Sequence, residues 1–375
     1  MKSPTVSVIM ATYNHADFVK QAIESVLNQE NVEYEFLIAD DGSQDSTRDV
    51  IASIVDPRIT FFPNTQNRGA CIVTNELIER SSGEFIALIN SDDYWTTPDK
   101  LSYQVQILRN NPKIGACFGR ARFVDKDGNP ITTLPFGNVF NQENRTQGQW
   151  LRHFFDLGNC ICHPTMLIRK SCYEELGMYD NRLRQLPDFD MWVRLIQQYN
   201  IFISDREMIA FRQLPGENAS SATNINLRRI FNESYFILEK FFDGASRDIL
   251  IDGFGDLLIN KNCQDNFCLD IEKSLLYFGK NRWASHIYNQ IGLEKIYSLL
   301  NSDIHREILM NNYNIDDRSF QAMASDICAF DSSDLTSSLS GVRGLCLINE
   351  LKQRIALRLH STLRTSLSKF SKKFS

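Results

Sequence analysis

Acidic residues in three places stand out as groups that could do chemistry: Asp40-Asp41, Asp92-Asp93, and Asp188 with Asp190 two residues on. Adjacent carboxylates offer hard oxygen ligands, which favour Mg²⁺ or Mn²⁺ over softer metals. A carboxylate also accepts the imide N–H of a uracil or thymine base, and a positioned one can take a proton from a hydroxyl nucleophile. Each pair has a plainer reading. Asp40-Asp41-Gly42-Ser43 is ordinary turn composition. Ser91-Asp92-Asp93 could simply end a strand, with Thr97 capping the next helix and Pro98 at its first position. What weighs against coincidence is where the pairs fall along the chain.

Val6-Ser7-Val8-Ile9-Met10-Ala11 is a nearly continuous apolar run, as expected of a buried parallel strand. A helix is expected from Asp17 to Gln29, a second strand from Tyr34 to Ala39 and a helix from Ser46 to Ile54. A third strand follows at Ile59 to Phe62, a helix from Gly69 to Arg80 and a fourth strand from Glu84 to Ile89. This alternation predicts a parallel sheet covered by helices. Thr12-Tyr13-Asn14, Asp40-Asp41 and Asp92-Asp93 then follow the carboxyl ends of strands one, two and four, the rim where open α/β sheets bind ligands. Beyond Pro98 the spacing gives a helix to about Asn110, a strand over Gly115 to Phe123 and a turn at Asp127 to Pro130. A less regular stretch runs to Asn159. Met166 to Ile168 is a further strand and Asp188 to Tyr199 a helix, and from Leu227 the chain turns helical and aromatic-rich.

In this order, Val6–Asn14, Asp40-Asp41-Gly42-Ser43, Ser91-Asp92-Asp93, Gly177-Met178-Tyr179-Asp180 and Pro187-Asp188-Phe189-Asp190-Met191-Trp192 resemble the motifs of the family 2 glycosyltransferases. The resemblance covers roughly residues 4 to 222. It implies a GT-A fold, a Rossmann-like α/β domain whose central sheet is mostly parallel with helices on both faces, here followed by a mainly α-helical region. It further implies an inverting enzyme that moves a sugar from a nucleotide-diphosphate donor to a hydroxyl of a glycan or lipid-linked acceptor, in bacterial capsule, O-antigen or exopolysaccharide synthesis. By that likeness Asp93 is the metal ligand for Mn²⁺ or Mg²⁺, Asp92 contacts donor ribose or sugar, and Asp188 is the general base. Thr12, Tyr13 and Asn14 would flank the base and Asp41 read it, which favours UDP- or dTDP-sugars. Arg68 would supply a basic contact to the diphosphate, because Thr74 stands where relatives often carry Arg. Gln213 stands where relatives often carry His. His163 and Asp190 fall on the acceptor side, Asp190 ranking behind Asp188 for proton transfer because residues two apart face apart on a helix.

The expected organisation is a catalytic domain over 1–222, a helical domain or extension over 223–341 and a basic amphipathic helix over 342–375. The tail from Val342 carries eight Lys/Arg against the single Glu350 on a chain of net charge −6. Ile348, Leu351, Ile355, Leu359, Leu363 and Leu367 form one helical stripe. Such a helix suits an anionic membrane surface, or packing on the acidic body or in a homo-oligomer. Nucleic acid is not an expected partner. The start has no pattern of a secretory leader, and no apolar run reaches the ~18 residues that cross a bilayer. A cytoplasmic protein, peripheral on the inner face of the cell membrane if the tail binds lipid, is the resulting expectation. Nine cysteines follow no disulfide framework, which fits a reducing compartment, and Cys160-Ile161-Cys162-His163 lacks the second ligand pair of a structural zinc site. A nucleotidyltransferase would open with a Gly-rich basic loop where Thr12-Tyr13-Asn14-His15 stands, and a processive synthase would carry membrane spans. A degenerate sugar-nucleotide-binding module is the remaining alternative, and Asp41, Asp93 and Asp188 together count against it.

Overall fold

The computed structural model describes residues 4–132, 138–214, 223–279 and 284–327. Its first half alternates β1 (Val6–Thr12), α1 (Val19–Leu27), β2 (Tyr34–Asp40), α2 (Thr47–Ala52), β3 (Ile59–Pro63), α3 (Ala70–Arg80) and β4 (Phe85–Leu88). Then come β5 (Tyr94–Trp95), α4 (Lys100–Asn110), β6 (Ile114–Val124), α5 (Gln147–Leu157), β7 (Leu167–Arg169), α6 (Lys170–Leu176), α7 (Pro187–Gln198) and β8 (Asn200–Arg212). The remainder is helical: α8 (Asn224–Glu239), α9 (Arg247–Phe254), α10 (Asn266–Leu275), α11 (Ser285–Leu299), α12 (Asp303–Tyr313) and α13 (Asp317–Asp326).

One sheet contains all eight strands in the order β3-β2-β1-β4-β7-β6-β8-β5. The β3-β2-β1-β4 half is parallel throughout, and β6 runs parallel to β8. The antiparallel β7 joins the halves, pairing with β4 and β6, and β5 closes the far edge antiparallel to β8. Helices cover both faces, so β1 is buried along nearly its whole length and needs no polar alternation. On α1, Val19, Ala22, Ile23 and Val26 are buried, the three-and-four spacing of a helix lying on a sheet.

Four elements depart from the sequence expectation, the short α6 among them. The stretch before Asn159 contains α5, opened by a capping box between Thr146 and Gln149. The longest strand, β8, was masked by Ser204-Asp205-Arg206-Glu207, a charged run of loop-like composition. Asp205, Arg206 and Glu207 are exposed where the pairing jumps from Phe118↔Ile203 to Arg120↔Glu207, so the run is a bulge in an otherwise paired strand. The two-residue β5 is too short to carry a period.

The sheet's compact unit reaches past residue 222, taking in 229–237 and 241–254. Phe155 of α5 packs on Phe241, Phe242 and Phe254, and Gln197 Nε2 donates to the Phe241 carbonyl at 2.9 Å. The division expected at residue 222 therefore precedes two helical segments that belong with the sheet. The second unit, from residue 255, packs α10 to α13 around Ile271, Ile296, Leu300 and Leu309. Cys263 and Cys268 are joined there as a disulfide with 5.9 Å between their Cα atoms, a local pair the all-thiol expectation did not include. Among the described residues no helix is long and apolar enough to cross a membrane. The basic tail of 342–375, the stretch 328–341 and most of the loop after Gln213 lie outside the described residues.

Candidate active site

Strand direction sets the rim. In parallel register Thr12 pairs with Asp40, so the ends of β1 and β2 arrive together, and the Asp41 N–H donates to the Thr12 carbonyl at 2.8 Å. Asp40 is fully buried. Its Oδ2 accepts the N–H groups of Gly42 and Ser43 at 3.2 and 3.1 Å and the Arg48 Nε at 2.6 Å, so this carboxylate builds the turn. Asp41 faces the other way. Its Oδ1 accepts the Arg68 N–H at 2.7 Å and its Oδ2 the Gly69 N–H at 2.9 Å, tying the end of β2 to the start of α3. Each oxygen retains a second lone pair.

Gly42 makes that turn feasible. It sits at φ +83°, and a Cβ there would lie 2.6 Å from both the Asn67 nitrogen and the Gln66 carbonyl carbon. Gly42→Ala is expected to cost about 1–3 kcal/mol from the left-handed backbone and the backbone clash together. The check is a lower denaturant midpoint at unchanged m-value, with weakened donor binding because the displaced segment leads into Arg68 and Gly69.

Of the first-strand loop, Thr12 is buried, and among the described residues its Oγ1 has no hydrogen-bond partner. Tyr13 is 41% exposed, an aromatic face open to solvent. Asn14 adopts φ 54°, its N–H donating to Ser43 Oγ at 2.9 Å and its Oδ1 accepting the Gln44 N–H at 2.8 Å. It thereby shapes the junction of the two loops. His15 Nδ1 lies 2.7 Å from Ser91 Oγ, which links the same loop to the end of β4.

Asp93 is buried and Asp92 half-buried. Asp93 Oδ1 accepts the Arg212 N–H at 2.8 Å and Oδ2 accepts Asn90 Nδ2 at 3.0 Å. Burial, and then the like charge of Asp92, push the Asp93 carboxyl well above the ordinary carboxylate range. Arg212 was not among the residues singled out from the sequence, and the sheet explains its place. It ends β8, parallel to β6, on the same rim. Its guanidinium reaches the carbonyls of Asp92 at 2.8 Å and Asp125 at 3.1 Å, the Lys126 carbonyl, and Gln21 Oε1 at 2.7 Å. Phe18 lies under it, 4.8 Å from ring centroid to guanidinium. A buried arginine with this many acceptors fixes where the Asp92-Asp93 backbone lies. The only sequence signal was its position in Phe211-Arg212, where the neighbour Gln213 drew the comparison.

Because β7 runs antiparallel to β4, the residues that precede β7 come to the end of β4. His163–Thr165, a short 3-10 turn, lies there, and Trp95 Nε1 donates to the Pro164 carbonyl at 3.3 Å. Just upstream, Asn159 Nδ2 donates to Asp188 Oδ2 at 2.8 Å. The Cys162 thiol is buried, and burial first, then the charges of Asp93 and Asp188, push it well above its ordinary value. Asp188 is the second residue of α7, with Oδ1 accepting the following Phe189 N–H at 2.9 Å. Burial raises its carboxyl to about 6, against the lowering effect of those two hydrogen bonds. Asp190, by contrast, is occupied: it pairs with Arg194 at 2.7 Å, and Arg194 also holds the carbonyls of Leu176, Gly177 and Met178.

His163 Nε2 lies 2.8 Å from the Tyr179 hydroxyl, itself 2.9 Å from that of Tyr173. Burial lowers the imidazole to about 4, so it is neutral at physiological pH. Asn75 on α3 clamps the same turn, donating to the Tyr179 carbonyl at 2.8 Å and accepting the Tyr179 N–H at 3.2 Å. Arg68 points onto α3, where its guanidinium meets Glu76 in two 2.6 Å bonds. The structure thus gathers Thr12, Asn14, Asp41, Asp92 and Asp93 on one rim and brings Asp188 and the His163 turn to the end of β4.

The family model described as glycosyl transferase family 2 matches residues 7–176. The candidate colanic acid biosynthesis glycosyl transferase WcaA of Escherichia coli is 39% identical over 206 residues, covering 52% of this chain and 68% of its own length. The chain belongs to glycosyl transferase family 2. The candidate teichuronic acid biosynthesis glycosyltransferase TuaG of Bacillus subtilis is 28% identical over 220 residues, covering 58% of this chain and 82% of its own. Among solved structures, S. aureus TarS residues 1–349 superposes with a TM-score of 0.51 at 15% identity, covering 86% of this family 2 chain and 91% of that one. That likeness bears on the fold, which is of the GT-A type expected. As a family 2 enzyme the protein is a glycosyltransferase.

Proposed function

We propose that this glycosyltransferase works by inversion, moving a sugar from a UDP- or dTDP-linked donor to a hydroxyl of a glycan or lipid-linked acceptor in bacterial surface-polysaccharide assembly. The observation that carries the reading is Asp188, a carboxylate in the first turn of α7 held by Asn159, whose ordinary acidity is suppressed by burial. One such base suffices for a single displacement. Asp188 takes the proton from the acceptor hydroxyl as that oxygen attacks the anomeric carbon, opposite the departing nucleoside diphosphate. Support for the pathway comes from the names of WcaA and TuaG.

The donor nucleotide lies along β1 and β2. Thr12 Oγ1 offers an unused polar atom, Tyr13 an exposed ring to flank the base, and Asp41 a spare lone pair on each oxygen for the imide N–H. Asp92 meets ribose or sugar. Arg68 reaches the diphosphate by opening its surface pair with Glu76, a contact that solvent screens. His163, neutral, lines the acceptor side.

Asp93 with Asp92 fits a divalent cation. The two carboxylates are hard oxygen donors, and they are crowded enough in a buried place to hold Asp93 away from its charged form until positive charge arrives. Among the described residues the rim has no set of three metal-ligating side chains. One or two carboxylates completed by substrate phosphates is the arrangement Mg²⁺ ordinarily takes. A cation bound there supplies charge neutralisation for the leaving diphosphate. The chain's own part is to orient it through Asp93, itself fixed by Arg212 and Asn90.

The test is binding and hydrolysis across UDP-, dTDP- and GDP-sugars with and without Mn²⁺. A metal-dependent preference for a uridine or thymidine sugar is expected, and absence of binding to any of them sinks the reading. A degenerate binding module would bind a donor and never turn it over.

The pH dependence follows from Asp188. The base acts only when ionised, and its carboxyl loses its proton near pH 6. Measured kcat/KM should therefore rise with pH through about 6 and level above it, where an unperturbed Asp would already be flat by pH 5.

A further inference from the structure

Glu233 lies on α8, beyond the span matched by the family model, yet it is buried in the catalytic unit at 6% exposure. It carries a carboxylate the mechanism above does not use. Its Oε1 accepts the Arg184 N–H at 3.0 Å, and its Oε2 accepts the N–H groups of Gln185 and Leu186 at 2.7 and 2.9 Å. Leu186 is the N-cap residue of α7, and Asp188 is two residues further on. Leu186 has no side-chain oxygen to cap the helix, and Pro187 follows directly. We propose that Glu233 is the positioning residue for Asp188: a carboxylate delivered by α8 that gathers three successive backbone N–H groups and so sets the start of α7, where the base sits.

Physical chemistry supports the assignment at each step. Three consecutive N–H donors at a helix start form a concave site suited to an acceptor such as a carboxylate. All three bonds are partly buried, and a charged acceptor makes each of them stronger than one to a neutral oxygen. The segment is pinned at its other end as well, by Asn75 on the Tyr179 backbone. Its freedom between those two points is what would let the Asp188 carboxylate wander from its bond with Asn159. A displacement on the order of 1 Å at a reacting group can cost ~100-fold in rate.

Glu233 also acts on Asp188 through its charge, which adds to the upward push that burial exerts. Cys162 and Tyr179 also feel the charge of Asp188. Burial holds both neutral by raising the thiol and the phenol well above their ordinary values. Removing the charge of Glu233 therefore shifts Asp188 towards stronger acidity, with no competing charge among those groups to mask it.

The proposal rests on Asp188 as base, and the experiment separates the two. Full-length wild type, Glu233→Gln, Glu233→Asp and Asp188→Asn are compared in release of UDP from UDP-glucose or UDP-N-acetylglucosamine, whichever turns over, with donor Kd measured alongside. Glu233→Gln retains shape but places an amide NH₂ against backbone donors. Its kcat is expected to fall about tenfold or more, with donor Kd unchanged and the acidic limb of kcat/KM moved to lower pH. Glu233→Asp, which restores the charge on a shorter arm, should bring the limb back towards wild type. Amide exchange at residues 184–186, read by mass spectrometry without substrate, should quicken in Glu233→Gln. The proposal is overturned by Glu233→Gln with wild-type kcat and an unmoved limb. A parallel loss of kcat, donor affinity and melting temperature without a limb shift, the mark of a merely structural role, overturns it too. Asp188→Asn turning over like wild type would instead remove the base assignment, and this proposal with it.

Discussion

Asp188→Asn should lower kcat by about 10²–10⁴ while donor affinity stays as in wild type, the loss expected when a general base is removed from a site otherwise intact. The separation of effects is the informative part. Asp188 lies at the start of α7 beside Asn159, whereas the groups proposed to face the nucleotide lie at the ends of β1, β2 and β4. Donor titration by calorimetry and turnover by UDP release should therefore give opposite answers for the same variant. Stability gives a second, independent sign. The folded carboxyl titrates near 6, above its ordinary value, so folding favours the protonated form. The stability tied to that form is complete below about pH 4 and is lost as pH rises through 6. A neutral Asn does not undergo that loss. It does forfeit one acceptor, since it cannot receive both the Asn159 Nδ2 and the Phe189 N–H. The melting temperature should accordingly compare better with wild type at pH 8 than at pH 4. A variant that loses donor binding and turnover together, at either pH, would show that Asp188 belongs to the donor site rather than to proton transfer.

Asp93→Asn carries the second large effect. Turnover should fall by about 10²–10³, the range for removing a fixed electrostatic stabiliser of a leaving group. Donor binding that strengthens with Mn²⁺ in wild type should lose that metal dependence. Unlike Asp188→Asn, this change should not leave the fold weaker at neutral pH. Asp93 is buried beside Asp92, and both burial and that like charge oppose its ionisation. An amide removes the repulsion, and its Oδ1 can still accept the Arg212 N–H. Asn90 can turn its own amide so that an oxygen, not a nitrogen, meets the new NH₂. Activity should thus collapse with a melting temperature equal to or above wild type, the trade expected where a site stores unfavourable charge for function. Retained metal dependence at near-normal turnover would move the cation site away from Asp93.

The local signals in this chain were strong where the periodicity was uninterrupted. Val6–Ala11, Tyr34–Ala39 and Glu84–Ile89 are continuous apolar runs because helices cover both faces of the strands they become, and such runs are visible without neighbours. Parallel strands end on one rim by geometry, so the joint placement of Thr12, Asp40-Asp41 and Asp92-Asp93 followed from element order alone. The charged bulge of β8 broke its pattern, and the capping box of α5 lay within a stretch of mixed polarity, so neither could be seen in the spacing.

Which carboxylate of a pair does what was a tertiary question. Asp40 and Asp41 are neighbours of the same type, yet one closes its own turn and the other bonds to a loop 27 residues away. Arg212 and Glu233 look like ordinary surface charges in the sequence. They are buried because β8 returns beside β6 and α8 packs back on the catalytic unit, bringing each to backbone groups far away along the chain. A sequence determines local conformation and the order of elements through propensity and period, which act over a few residues. Burial and the choice of hydrogen-bond partner depend on what arrives from elsewhere. That is why the family of this enzyme was legible from its motifs, while the residues that hold its two acidic clusters in place became visible only once the chain was folded.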